Sequence, residues 1–387
     1  MNKSLLTPKV ESLCVLLFLV PIFFCFINVE QLGVHSLTYF QFLLFPLLIF
    51  IMGYKASFLF FSTFIIVLIF NFLLESCSNL VELLFESFKF ALYFSVPIVV
   101  ALKVKVDLFY NYTVKLMKWS LTIVAISFLL RSLLGFSVFI NHGYLQDRYH
   151  ALFTEPSAMA IPLSVLIYDA FKSKNYKWIV FSLFAMFLIK SLIVFSVFLI
   201  TVSFFLMVRF FGFRAVSFAT LFIIFLSTSF ITVESISFIE GYNERLYSGL
   251  VSILTLGENG YNPRMITTMS VINMLLDKGQ LVLGFGFGVG ECHTQYLEWK
   301  YDSNILMYFL FSSGLIGLFL YLSIILTAFV MINVKSKYVF SKEFALFIIS
   351  FFGVLINGAQ GMLFISFHIA AIIFIYKKTI FKRFEND

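Results

Sequence analysis

Long apolar segments without charged residues recur from one end of the sequence to the other. A helix needs about 20 apolar residues to cross the hydrocarbon core of a bilayer, and many segments approach that length. Of the 387 residues, 61% are hydrophobic and only 12% are charged, which is more apolar surface than a soluble domain could bury. The segments lack the alternation of membrane β-barrel strands. The sequence therefore predicts an all-α polytopic integral membrane protein, with residues 1–387 in a single transmembrane domain.

Twelve segments are candidate transmembrane helices by length and hydropathy. Lys190 and Ser191 separate the seventh candidate from the eighth. The first candidate is not followed by the small-residue cleavage site of a signal peptide, so we expect it to be retained. The predicted spans are 12–29, 35–53, 57–74, 79–101, 119–136, 155–171, 177–189, 191–208, 214–232, 304–332, 343–357 and 361–376.

Lysine and arginine are distributed unevenly between the two sides of this predicted topology. With both termini in the cytoplasm, the inner side holds 19 of the 27 basic residues, as the positive-inside rule requires. The net charge of +7 therefore reflects topology, and no basic outer patch indicates nucleic-acid binding. The inner residues are Lys3, Lys9, Lys55, Lys103, Lys105, Lys115, Lys118, Lys172, Lys174, Lys177, Arg209, Arg214, Lys335, Lys337, Lys342, Lys377, Lys378, Lys382 and Arg383.

Two outer segments are long enough to carry a functional site. Residues 137–155 run into the stretch "DRYHALFTEPSAMA", residues 147–160, which places four ionisable groups at the entrance to the sixth span. Residues 233–303 form a loop too apolar and too patterned to be a disordered linker. The ionisable groups of the first segment are Asp147, Arg148, His150 and Glu155.

The longer outer loop contains a predicted amphipathic helix on or near the membrane surface. Asn262 suits its N-cap, Pro263 its first position, and Gly279 its end, with Arg264 in the first turn. Its predicted apolar face comprises Met265, Ile266, Met269, Ile272 and Leu276.

A glycine-rich segment, "GFGFGVG", follows this helix at residues 284–290. It lacks the lysine and hydroxyl residue of a P-loop. Two interpretations remain open. It is a tight turn that returns the chain to the membrane, or its backbone amides approach an anionic headgroup, for which glycine is sterically suited.

Ionisable residues within the spans lie toward the outer side. Glu82, Glu86 and Lys89 share one face of the fourth span, and Arg131 lies near the outer end of the fifth. Each alone could be a paired or snorkelling charge, but together they indicate a water-filled cavity open to the outside. His35 and His368 have no acidic or histidine neighbour at useful spacing, so we expect structural roles for them.

The stretch "RYHALFTEPSAMA" resembles the arginine and Glu-Pro-Ser motif of bacterial O-antigen and exopolysaccharide polymerases of the Wzy type. The elements that follow resemble that family in order: a long external loop with arginines, an "LxxGFGFG" turn, and "DSNILMYFLFSSGLIGLFLYL". O-antigen ligases share this architecture, but they carry a histidine where this chain has Ser303 before Asn304 and the later "GLIG". This departure favours a polymerase over a ligase.

The resemblance implies a GT-C-like, metal-independent glycosyltransferase that uses no nucleotide and no cofactor. It implies two undecaprenyl-diphosphate-linked oligosaccharides as donor and acceptor, on the outer face of the cytoplasmic membrane, with a chain-length regulator as a further candidate partner. Glu155 is the candidate base, His293 the second candidate, and Arg148 the catalytic cation for the departing pyrophosphate. The candidate substrate-binding residues are Arg245, Arg264, Arg131, Lys89 and His150.

A flippase or transporter is the alternative from another class, because many spans and a charged cavity are common there too. The sequence shows no repeat between its halves, and its charges gather at one face instead of the midplane.

Overall fold

The computed structural model describes residues 7–23, 36–74, 80–136, 140–142, 147–149, 159–230, 272–287, 305–334, 340–356 and 361–381. Within these ranges the chain is almost entirely helical, and each helix overlaps a predicted span. The helices are α1 Pro8–Phe23, α2 Ser36–Met52, α3 Tyr54–Leu73, α4 Leu80–Lys103, α5 Val106–Leu134, α6 Ala160–Lys172, α7 Tyr176–Ile189, α8 Leu192–Phe230, α9 Ile305–Val334, α10 Lys342–Ile356 and α11 Gly361–Phe381.

Five helical stretches in the described ranges are long and apolar enough to cross a membrane. The shorter α7 is also apolar. The protein is therefore a helical membrane protein. The five stretches are Tyr54–Leu73, Leu83–Lys103, Val106–Leu134, Ile193–Phe213 and Tyr308–Ile332.

The predicted break between the seventh and eighth spans is confirmed. Helix α7 ends at Ile189, Lys190 takes a left-handed conformation with φ of 48°, and α8 begins at Leu192. The predicted boundary between the eighth and ninth spans coincides with Gly212, whose φ of 78° and ψ of 157° interrupt α8. Only glycine takes such backbone angles without steric cost, so the chain changes direction there.

Helix α5 begins earlier than hydropathy predicted. The expected span started at residue 119, whereas the helix starts at Val106. Its first turns bury Phe109, Thr113 and Met117, which are spaced by four residues and therefore lie on one helical face. The basic residues on the other face lower the mean hydropathy and hide this amphipathic start from a hydropathy window.

Phenylalanine dominates the core where the helices meet. Phe18 of α1 stacks on Phe45 of α2 at a ring-centroid distance of 6.0 Å and contacts Phe109 of α5 at 5.8 Å. Phe109 in turn contacts Phe367 of α11 at 5.2 Å. Helix α4 packs against α1, α2, α3 and α11, while α10 packs against α5, α6, α8, α9 and α11. These two helices therefore join the N-terminal and C-terminal parts of the bundle.

Charged side chains tie several helix ends together at one end of the bundle, which we call the lysine-rich end. The residues involved lie where the positive-inside rule placed the inner side, so the structure gathers these ends on one side as predicted. The contacts are Lys105 N–H to Glu11 Oε1 at 2.6 Å, Lys103 Nζ to Met52 O at 3.2 Å, Lys342 Nζ to Asp107 Oδ1 at 2.7 Å, and Lys378 Nζ to Glu343 Oε2 at 2.7 Å.

Lys377 strengthens the same end by capping α4. Its ammonium donates hydrogen bonds to the carbonyl oxygens of Ala101, Leu102 and Val104 at 3.1, 2.8 and 3.0 Å. The last carbonyls of a helix have no partner within that helix, and a cation also complements the helix dipole. The cap therefore fixes α11 to the end of α4.

Candidate functional site

Arg148 lies in a β-hairpin that the sequence had not indicated. Strand β1, Ile140–His142, pairs antiparallel with strand β2, Asp147–Tyr149, so that Asn141 is opposite Arg148. Both strands lie within the outer segment predicted between the fifth and sixth spans, residues 137–155. An ordered strand, and not an irregular loop, therefore carries the backbone of Arg148.

Tyr149 attaches this hairpin to the helices. Its side chain is buried, and its ring lies 6.1 Å from the ring of Phe128 in α5. Phe128 also contacts Phe184 of α7 at 6.0 Å. Strand β2 packs against both helices. The aromatic contact places the strand of Arg148 beside the C-terminal end of α5.

Arg131 is in the last turn of that same helix, one turn beyond Phe128, and is half-buried. Gly135 ends the helix in a left-handed conformation, with its N–H donating to the carbonyl of Arg131 at 3.1 Å. The structure therefore brings Arg131 and the strand of Arg148 to the same end of the bundle, opposite the lysine-rich end, as predicted for two outer residues.

Lys89 forms an ion pair with Glu86 within α4. The Lys89 ammonium lies 2.9 Å from Glu86 Oε2 and 3.0 Å from Oε1, and the two side chains are 14% and 2% exposed. Of the two interpretations for these charges, this contact supports the paired one for Lys89 and Glu86. Lys89 therefore comes to the site with a carboxylate partner, and its charge is partly balanced.

The end of the predicted amphipathic helix is confirmed at Gly279. Residues 272–277 are helical, and Gly279 has a φ of 66°. Gln280 N–H donates to Leu275 O at 2.8 Å, and Gly279 N–H donates to Leu276 O at 3.1 Å, which is the Schellman pattern. The residue that packs against the protein here is Leu275, which is fully buried, whereas Leu276 of the predicted apolar face is 55% exposed.

Helix α9 is broken where the glycine-rich turn meets it. Ser313 and Gly314 leave helical geometry, with φ and ψ of 61° and −158° at Gly314. A break frees backbone groups that must find other partners inside a membrane protein. Residues 281–287, which we call the docking turn, supply them. Phe285 and Gly286 N–H donate to Phe311 O and Ser312 O at 2.8 and 2.9 Å, and Leu315 N–H donates to Leu281 O at 2.9 Å.

Four backbone amides of the docking turn, those of residues 284–287, are already bound. Gly284 N–H donates to Gln280 O at 2.7 Å, the amides of Phe285 and Gly286 bind α9, and Phe287 N–H donates to Asn71 Oδ1 at 2.8 Å. These four amides are therefore not available to an anionic headgroup. For residues 284–287 the tight-turn interpretation holds, and the anion-binding one is wrong.

The side chain of Asn71 on α3 connects the docking turn to α3 and α4 through hydrogen bonds. Its side chain is fully buried, and its amide nitrogen donates to both Phe287 O and Ser87 Oγ at 2.9 Å. Asn71 is not among the residues predicted from the sequence, although a single carboxamide within "TFIIVLIFNFLL" is a visible signal. A polar group in such a segment must find a partner.

His368 belongs to a separate polar network in the interior. It is fully buried, with Nε2 3.1 Å from the hydroxyl of Tyr321 and Nδ1 2.8 Å from the hydroxyl of Ser350. Its ring also stacks on Phe347 at 6.0 Å. Both ring nitrogens are partnered between α9, α10 and α11, which agrees with the structural role predicted for it.

Five of the predicted site residues lie outside the described residues: Glu155, His150, His293, Arg245 and Arg264. Glu82 is on α4, where only its backbone is described. Helix α6 is described from Ala160, with Met159 at the N-cap, and its predicted start at residue 155 lies outside the described residues. Within the described ranges, no group of three or more His, Cys, Asp or Glu side chains could hold a metal ion.

A comparison of the sequence with models of known protein families gives no match. A comparison with curated proteins also gives no match.

Proposed function

We propose that this protein is a polysaccharide polymerase. It joins oligosaccharide repeat units carried on undecaprenyl diphosphate, as the resemblance to Wzy-type enzymes implies. The observation that carries this proposal is the order of its motifs: "RYHALFTEPSAMA", a long outer loop with arginines, "LVLGFGFG", and then "GLIG" within an apolar helix.

A contact in the structure supports treating two of these motifs as one unit. The "LVLGFGFG" segment contains the docking turn, and the "GLIG" segment contains the break in α9 that accepts it. Gly284 and Gly314 approach so closely that neither has room for a Cβ atom. The two motifs thus co-occur for a physical reason, and not as unrelated glycine clusters.

The proposed architecture has about twelve transmembrane helices in a GT-C-like arrangement, in a bacterial cytoplasmic membrane. Both termini are cytoplasmic, and the lysine-rich end faces the cytoplasm. The end with Arg131, the hairpin and the docking turn then faces outside, where the lipid-linked repeat units are joined.

Glycosyl transfer between two such lipids requires a base for the acceptor hydroxyl and cations for the departing pyrophosphate. Glu155 is the proposed base, with His293 as its rival. Arg148 is the proposed cation at the pyrophosphate because its planar guanidinium binds phosphate oxygens in pairs and stays charged. The proposed headgroup-binding residues are Arg131, Lys89, Arg245, Arg264 and His150.

An O-antigen ligase of the same superfamily is the nearest alternative. It is less favoured because Ser303 stands where the ligases carry a histidine. A transporter with a discontinuous helix is the third candidate. In transporters, unwound backbone groups coordinate ions or substrate. Here, the docking turn occupies Phe311 O, Ser312 O and the Leu315 N–H at the break in α9, which argues against that use.

Deletion of the gene in its own host tests the proposal. A polymerase mutant should retain single repeat units on the lipid anchor or carrier, because ligation proceeds without chain extension. Loss of the single-unit product together with accumulation of long lipid-linked polymer would identify a ligase instead. Normal chain length and normal attachment in the deletion strain would refute both enzymatic assignments.

A further inference from the structure

The Asn71 carboxamide pairs with Phe287 as one peptide group pairs with another in a sheet. Its Oδ1 accepts the Phe287 N–H at 2.8 Å, and its Nδ2 donates to the Phe287 carbonyl at 2.9 Å. The second Nδ2 proton goes to Ser87 Oγ at 2.9 Å. Asn71 and Ser87 are both fully buried, so water does not compete for these groups. A side chain that both donates and accepts is needed here.

Aromatic packing encloses the same residue. The Phe287 ring lies 4.7 Å from the ring of Phe90 and 5.5 Å from that of Phe70. Phe70 precedes Asn71 on α3, while Phe90 follows Ser87 by one turn on α4. We call Asn71, Ser87, Phe70 and Phe90 the clamp. It holds Phe287 through both its backbone and its ring.

The clamp fixes a segment that is also bound on its other side. Within the docking turn, Phe285 packs against Phe311 with a ring distance of 5.2 Å, and its neighbours hydrogen-bond across the break in α9. Leu275 joins this packing and is fully buried. The docking turn therefore bridges α9 to α3 and α4. Ser87 and Phe90 are the clamp residues on α4. Ser87 directly follows Glu86 in the sequence, and Phe90 directly follows Lys89, so the clamp is next to this ion pair.

We propose that Asn71 is a positioning residue, which holds the docking turn between α4 and the break in α9 and so sets the geometry of the outer loop for chain extension. The effect of Asn71 on chain extension rests on the polymerase function proposed above. The role of Asn71 in holding the docking turn does not, because it follows from the contacts alone. Asn71 touches no reacting group in this proposal and acts through Phe287.

Cysteine labelling tests the holding role without any substrate. In a background with Cys25→Ser, Cys77→Ser and Cys292→Ser, the Leu275→Cys variant reports undocking because Leu275 is buried. The neighbouring Leu276→Cys variant is the matched control, since Leu276 is exposed in the docked form. Labelling in membranes uses a membrane-impermeant maleimide. Cys14 remains, because it is fully buried in α1.

Asn71→Asp removes both Nδ2 donors and sets a carboxylate oxygen against the Phe287 carbonyl. We expect it to speed labelling at Leu275→Cys about tenfold or more, because losing paired buried groups costs over 1 kcal/mol. Asn71→Ala should also speed labelling, and it introduces no buried charge. It replaces Asn71→Asp in the test if that variant does not accumulate in the membrane. Ser87→Ala removes one bond and should have a smaller effect. Asn111→Asp, the same substitution at an exposed position of α5, should have none.

Chain-extension kinetics test the positioning role. We expect Asn71→Ala to lower kcat about tenfold with little change in KM, since the clamp does not itself bind substrate. Leu275→Cys labelling within twofold of the intact protein in both Asn71 variants would overturn the holding role. Faster labelling with unchanged chain extension would overturn the positioning role. If even the wild-type protein extends no chains, the polymerase proposal fails, and the labelling result still decides the role of Asn71.

Discussion

A Cβ atom on Gly284 would lie 2.6 Å from the backbone nitrogen of Gly314, and a Cβ atom on Gly314 would lie 2.2 Å from the carbonyl oxygen of Val282. Real Cβ atoms do not approach backbone atoms so closely. The docking turn and the break in α9 therefore fit together only because both positions are glycine. Their φ angles of 75° and 61° also favour glycine.

Substituting alanine for either glycine should destabilise the protein strongly. We expect Gly284→Ala and Gly314→Ala each to cost about 3 kcal/mol or more, because backbone strain adds to a clash with immovable main-chain atoms. Gly135→Ala is the matched control: its φ is 71°, but nothing lies within 4 Å of its Cβ position, so strain alone should cost about 1 kcal/mol. Thermal unfolding in detergent measures the difference. Equal losses in all three variants would show that the contact adds nothing.

The Glu86–Lys89 ion pair should contribute much more than an exposed pair. Its side chains are 2% and 14% exposed, so Lys89→Met should cost about 3 kcal/mol by removing a cation from beside a buried carboxylate, and adding Glu86→Gln should recover part of that loss. The Asp107–Lys342 pair, 71% and 30% exposed, serves for comparison and should show a coupling of at most about 1 kcal/mol. Double-mutant cycles of unfolding give both values. Similar coupling in the two pairs would contradict the expectation.

The proposed base is tested by paired substitutions. Glu155→Gln keeps the size of the side chain but cannot take the acceptor proton, so the protein should reach the membrane and bind the lipid-linked repeat unit yet make little or no polymer. His293→Ala should retain appreciable activity. Gel analysis of chain length and a binding assay on the same preparations separate the two steps. Near-normal chain extension by Glu155→Gln would remove Glu155 as the base, and inactivity of His293→Ala alone would transfer the role to His293.

Chain extension by the purified protein should persist in EDTA. We expect this because, in the proposed mechanism, arginine stabilises the pyrophosphate and no metal ion is needed. Product length with and without chelator is the measurement, with a metal-dependent glycosyltransferase assayed in parallel to show that the chelator works. Abolished activity that a divalent ion restores would mean that the cation role belongs to a metal.

Reporter fusions test which end of the bundle faces the cytoplasm. Fusions at Lys174, at Lys337 and at the C-terminus should report cytoplasm, because the positive-inside rule places these positions on the inner side. A fusion near Asn259 should report the outside. An inside signal at Asn259 would place the long loop, and with it the proposed site, on the wrong side of the membrane.

The positions of the helices were largely predictable because they depend on local sequence. Apolar runs of sufficient length predict spans wherever they occur, and the left-handed Lys190 and Gly279 end their helices where the sequence indicated. The clustering of helix ends through Glu11, Lys103 and Lys342 followed from the uneven distribution of basic residues.

Other features of the fold were not predictable because they depend on tertiary contacts. Hydropathy did not reveal the start of α5 at Val106, because a window average mixes its buried face with its charged face. It could not choose Leu275 over Leu276 as the buried residue, since that choice depends on where Phe285 and Phe311 lie. The hairpin that carries Arg148 was missed because its two strands are only three residues each.

The sequence by itself determined that this is a helical membrane protein, where several of its helices end and which helix ends share a side, because burial of apolar segments and solvation of lysine act on short stretches. Only the tertiary structure decided which groups the glycine-rich turn and Asn71 bind. The hydrogen bonds between Asn71 and Phe287 join residues 216 positions apart, and no local property of either residue specifies the other. Such a pairing arises only when the docking turn packs between α9 and the helices α3 and α4 and brings Phe287 within reach of the buried Asn71.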